Sequence, residues 1–90
     1  MEEKAKTARL IVRGSNPSNG GTFEKWDVGG GAGLYVDFCP YPYDTMQPET
    51  MAFPYDVEKD KIASWTELRM WDHDATGGEA MRDLGYEPVE

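Results

Sequence analysis

Cys39 is the single thiol of this 90-residue chain and His73 its single imidazole. A thiol becomes a nucleophile when an imidazole takes its proton and a carboxylate orients that imidazole, and Asp72 and Asp74 flank His73 for the second role. The local signatures of cysteine hydrolases are absent, and a lone thiol at the end of an apolar run is more simply a small buried hydrophobe. Asp72-His73-Asp74 also sets three metal-ligand types in a row. Side chains adjacent in sequence do not converge on one ion without a turn and further ligands, so a charged helix end is the plainer reading, although acids there oppose the helix macrodipole. Gly29-Gly30-Gly31-Ala32-Gly33 could bring bare N–H groups to an anion. It lacks the G-K-[ST] of a phosphate loop, and the alternation beginning at Leu34 reads as strand where such a loop needs a helix N-terminus. No catalytic residue, metal or cofactor is expected, and the chain is not expected to be an enzyme; an enzyme or metal protein built on Cys39 and His73 is the remote alternative.

Residues 26 to 58 carry a different kind of chemistry. They hold seven aromatic side chains (Trp26, Tyr35, Phe38, Tyr41, Tyr43, Phe53, Tyr55), six acids (Asp27, Asp37, Asp44, Glu49, Asp56, Glu58) and no Lys or Arg. Pro40, Pro42, Pro48 and Pro54 fall in the same stretch and hold much of it extended or turned. Tyr and Trp dominate protein interfaces because they are large, stiff and able to hydrogen-bond at one end. Carboxylates spaced among them can stand where a nucleic acid would place phosphates. The expected partner-binding residues are Tyr41, Tyr43, Asp44 and Glu49, with Asp56, Glu58, Asp72 and Asp74 as supporting charge. The alternative is that several of the aromatics are core.

The bulk composition limits the partner. The net charge is −8, and it is uneven: residues 1 to 25 carry +2, 26 to 58 carry −6, 59 to 69 carry +1 and 70 to 90 carry −5. Such a chain repels nucleic acid and anionic membrane and is steered toward basic surfaces. One Cys permits no internal disulfide, which points to a reducing compartment. No leader-like apolar segment or run of about 18 apolar residues occurs, so a cytoplasmic protein is expected.

The length predicts one domain over 1–90, with residues 1–6 frayed. Leu, Ile, Val and Phe number only 14, so eight Tyr and Trp must supply much of the core. Thr7 to Arg13 alternates as a strand, with Ala8, Leu10 and Val12 facing one way and Arg9 and Arg13 the other. The turn-rich run from Gly14 to Gly21 leads to a second strand, Thr22 to Val28, with Thr22, Glu24, Trp26 and Val28 sharing a face. The Gly29 to Gly33 run leads to a third, Leu34 to Cys39. Short Gly-rich connections make these an antiparallel meander, which Met51 to Tyr55 joins as an edge strand, Pro54 being tolerable only at an edge. Ile62, Trp65, Leu68 and Trp71 stand at helical spacing, and Ser64-Trp65-Thr66-Glu67 matches a capping box. Thr76-Gly77-Gly78-Glu79 is a second box, opening a helix that buries Ala80, Met81 and Leu84 and ends at Gly85. The expected fold class is α+β: a three- to four-stranded antiparallel meander followed by two short C-terminal helices packed on one sheet face.

In general character the chain resembles the small inhibitors that phages and mobile elements make against host nucleases, anti-CRISPR proteins among them. The resemblance is compositional and assigns no residues. It implies a binding protein, an inhibitor or adaptor that occupies a basic, nucleic-acid-binding surface on a larger protein such as a nuclease, without binding nucleic acid or membrane itself. A structural subunit that self-associates, for example as a homodimer, through Trp65, Trp71 and a sheet edge is the alternative.

Overall fold

The computed structural model describes residues 6–16, 20–39, 49–73 and 75–90. Strands β1 (Lys6–Asn16), β2 (Gly21–Gly29), β3 (Ala32–Cys39) and β4 (Glu49–Asp56) pair in antiparallel succession. Two short strands, β5 (Lys61–Ile62) and β6 (Arg69–Trp71), both pair with the outer edge of β4. Helix α1 (Gly77–Asp83), the single helix among the described residues, then leads to β7 (Tyr86–Val89), which runs parallel to β1 at the far side of the sheet. The order is β5-β4-β3-β2-β1-β7, with β6 beside β4.

This seven-stranded mixed sheet with one short helix replaces the expected meander with two helices. The stripe Ile62, Trp65, Leu68, Trp71 does not form a helix, because only its last member finds a core. Trp65 and Leu68 are 75% and 55% exposed. Backbone bonds from Ala63 N to Pro54 O and from Leu68 N to Ala52 O tie the segment to β4 instead, and Ser64 Oγ accepts from Thr66 N in a local turn, the competing use of a serine that also favours helix caps. β4 is accordingly no edge strand. Pro54 stands where its outer neighbour changes from β5 to β6, a break at which a missing N–H does least harm. The parallel strand β7 is the other departure, four residues that alternate too briefly to announce themselves.

The core lies between α1 and one sheet face. Ala8, Trp26, Leu34, Val36, Ala52, Trp71, Ala75, Ala80 and Met81 form one buried cluster. Thr76 caps α1 by accepting from Glu79 N, and Gly85, at φ +94°, turns the chain out of it. The polar members of this face are satisfied: Thr50 Oγ1 donates to Ala75 O at 3.1 Å, and Trp71 Nε1 donates to Asp83 at 2.8 Å. A bulge between Leu10 and Val12 changes the expected facing of β1. Beyond it Val12 pairs with Lys25, on the opposite face, and Arg13 with Glu24, on the helix face. One extra residue is enough to exchange the two sides of a strand.

Candidate binding surface

The face away from α1 is partly covered, with Phe53 and Tyr55 buried. Register places Phe23, Asp37, Met51 and Met70 in one row across β2, β3, β4 and β6. Lys25, Tyr35 and Phe53 form the next row, and Tyr55 and Ile62 follow. Phe23 stacks on Tyr35 with ring centroids 5.4 Å apart and planes 8° from parallel. Gly14 lies opposite Phe23, and a Cβ there would stand 2.7 Å from the ring, so the absent side chain lets the ring lie across β1. Trp65 meets Phe53 edge-on at 5.6 Å and, being mostly exposed, shields only part of the face. Phe23, Tyr35 and Met51 are half-buried, and Met70 is 49% exposed.

One charged cluster crosses this aromatic surface. Lys25 Nζ lies 5.6 Å from the Phe23 ring centre and 5.4 Å from that of Tyr55, a cation–π position on each, and pairs with Asp60 at 3.0 Å. Tyr55 also donates its hydroxyl proton to Asp60. Desolvation, the bond to Asp60 and the nearby charges of Asp60 and Asp56 push the Tyr55 phenol up to about 12. The same two partners, Tyr55 first and then Lys25, hold the Asp60 carboxyl below its ordinary value. Asp60 adopts φ 53°, so the turn closing β4 onto β5 is latched to the sheet by a residue in the left-handed region.

The expected binding residues that the structure describes, Glu49, Asp56, Glu58 and Asp72, fall at the two ends of β4. Tyr41, Tyr43, Asp44 and Asp74 lie outside the described residues. Glu49 begins β4 opposite Cys39, and Asp72 follows the Thr50–Trp71 pair at the same end. Asp56 and Glu58 are at the other end of β4, about 23 Å away at the usual rise per strand residue. Asp56 there accepts from Lys59 N at 3.1 Å and Glu58 covers Gly31, so both take part in a turn. The Gly-rich stretch is a tight hairpin loop: Gly30 and Gly31, at φ 67° and 81°, link β2 to β3 as primed turns require, and Gly31 O accepts from Val57 N. His73 is bonded through Nε2 to Glu79 at 2.7 Å and sits 3.6 Å from Asp72. Among the described residues no three His, Cys, Asp or Glu side chains gather as metal ligands. Trp71, expected at a self-association surface, is buried against the helix face.

Sequence reasoning missed Phe23, Tyr35, Met51 and Met70 as a shared surface. The signal was present in the parity of β2 and β3, which sets Phe23 and Tyr35 among the charged outward positions Lys25, Asp27 and Asp37. Among the described residues no helix is long and apolar enough to cross a membrane. Comparison with protein families, curated proteins and solved structures finds no match to this chain.

Proposed function

We propose that this protein is a small acidic binding module, an inhibitor or adaptor, that presses its open aromatic sheet face onto a larger protein. The observation that carries the reading is the partly exposed cluster of Phe23, Tyr35, Met51, Trp65 and Met70 on the sheet face opposite the one that α1 covers. Aromatic and Met side chains are enriched at protein interfaces. The partner's chemistry follows from charge. Asp37 and Glu49 share this face by register, Asp72 is exposed nearby, and Lys25 is already engaged by Asp60. An apolar patch bordered by Lys and Arg, such as the nucleic-acid-binding surface of a nuclease, complements that arrangement. A second copy would set −8 against −8, which disfavours the homo-oligomeric alternative. The module binds neither nucleic acid nor membrane directly and works in the cytoplasm, the reducing compartment that a lone cysteine suits.

Affinity capture from host lysate at low and at high salt tests this. Wild-type protein is expected to retain a basic protein at low salt and release it at high salt. Trp65→Ala with Met70→Ala is expected to lose it at both, and Glu49→Lys to weaken it at low salt. Full retention by these variants removes the reading. Recovery of the protein alone, with a mass that rises with concentration, moves the weight to self-assembly.

A further inference from the structure

A second feature lies on the opposite, helix-covered side, where β1, β2 and the β7 segment meet the start of α1. A cavity of about 650 Å³ opens there, lined among others by Arg13, Phe38, Gly78, Arg82, Pro88 and Glu90. That size is ordinary for a small-molecule site and large for so short a chain. Its charges are distinctive. Arg13 holds Glu24 through Nε at 2.8 Å and Glu90 through Nη2 at 2.5 Å. Glu24 is buried and also bonded by Trp26 Nε1 at 3.0 Å, whereas the Glu90 side chain is 61% exposed. The Arg82 guanidinium makes no hydrogen bond or ion pair among the described residues. The cavity wall thus holds two guanidiniums and two carboxylates, both carboxylates drawn to Arg13, which leaves Arg82 as a cation without a bound anion among the described residues.

Gly78 supplies an independent observation. A glycine inside a helix is less favourable than alanine, and it is retained where packing or conformation demands it. At Gly78 neither does: its φ is not positive, and the nearest atoms to a Cβ there are Arg82 Nη1 at 3.5 Å and Pro88 Cγ at 3.8 Å, ordinary contacts. Gly77 beside it is different, since a Cβ would run into the Glu24 carboxylate at 1.8 Å. A Cβ at Gly78 would stand on the cavity wall between Arg82 and Pro88.

We infer that this cavity binds a small organic monocarboxylate. The carboxylate takes the place of Glu90 between Arg13 and Arg82, and the apolar body rests on Phe38 and Pro88. Guanidinium groups suit this role because their planar forks match a carboxylate edge. The site is separate from the open sheet face, so either can fail without the other.

The test is a heteronuclear NMR titration of the full chain with acetate, benzoate and phenylacetate, using benzamide as the neutral counterpart of benzoate. At least one carboxylate is expected to give saturable shifts at Gly77, Gly78 and the Arg13 Nε–H, with a Kd of about 1 mM or tighter, while benzamide gives none. Arg82→Gln is expected to weaken binding at least about tenfold, the effect of losing one charge-assisted contact. Glu90→Gln should tighten it by removing the internal competitor. Gly78→Ala should abolish it while leaving the thermal midpoint unchanged or higher, an outcome a purely structural glycine would not produce. No saturation by any of the three acids, equal shifts with benzamide, or undiminished binding by Arg82→Gln and Gly78→Ala overturns the assignment.

Discussion

The two faces of one sheet are built from the same strands and made to do opposite things. On the helix face the buried set includes Ala8, Ala52, Ala75 and Ala80 beside Trp26 and Met81, and the small residues let α1 come close to the strands. On the open face the side chains are individually larger, Phe23, Tyr35, Met51 and Trp65, yet stay partly wet. Apolar content does not decide which face becomes core. What differs is the cover: α1 packs on one face, whereas on the other Phe53 and Tyr55 are buried beside Trp65 and Asp60 while their neighbours stay half-exposed.

The largest expected effect separates the faces directly. Trp26 has no exposed surface and donates its indole N–H to Glu24, so Trp26→Ala should cost about 3–5 kcal/mol, enough to unfold much of a small domain. Trp65→Ala removes a side chain of equal size from the open face and should cost less than about 1 kcal/mol. Urea unfolding of both variants measures this. Equal losses would mean that Trp65 closes a second core and that the open face is not open.

A finer contrast lies in neighbouring residues of β2. Glu24 and Lys25 each hold an ion pair, on opposite sides of the same strand. Glu24 is buried and bonded by both Arg13 and Trp26 Nε1, so Glu24→Gln, which keeps one acceptor and loses the charge, should destabilise by about 2–4 kcal/mol. Lys25→Met keeps the aliphatic stem over Phe23 and Tyr55 and loses a pair whose acid is largely solvated. It should cost about 1 kcal/mol or less. The reverse order would place the structural burden on the open face.

What could be read from the residues was local. Alternation in Thr22 to Val28 and Leu34 to Cys39 announces strands, and Thr76-Gly77-Gly78-Glu79 with Gly85 announces a helix, because period and capping are decided within a few residues. The bulge at Ile11, the parallel pairing of β7 with β1, and the fate of the Trp65–Trp71 stripe are decided by partners distant in the chain. The helical spacing of that stripe was real, but β4 offered its backbone a better set of bonds. Proximity in sequence is a poor guide to a shared surface for the same reason. Acids close in sequence, Glu49 and Asp56, are carried to opposite ends of a strand, while Phe23 and Met70, 47 positions apart in sequence, come into one row.

The smallest effect tests what holds the helix over its face. His73 leads into α1 and bonds to Glu79 in the helix's first turn. That bond is the main reason its pKa lies above the ordinary 6.5; the charge of Glu79 and the contact with Asp72 add to it, and partial desolvation opposes it. A histidine whose native pKa is raised binds its proton more tightly folded than unfolded. Its stabilising contribution is therefore fully present below about 6.5 and is lost as pH rises through the raised native value. The midpoint of urea unfolding should accordingly fall slightly over that window, and His73→Ala should flatten the profile there. Glu79→Gln should also reduce the slope, because the neutral amide keeps a bonding group but removes the charge that favours imidazolium. If the fall persists undiminished in His73→Ala, the imidazole is a bystander on the surface, and the hold of α1 on the sheet rests on Ala80, Met81 and the Trp71–Asp83 bond.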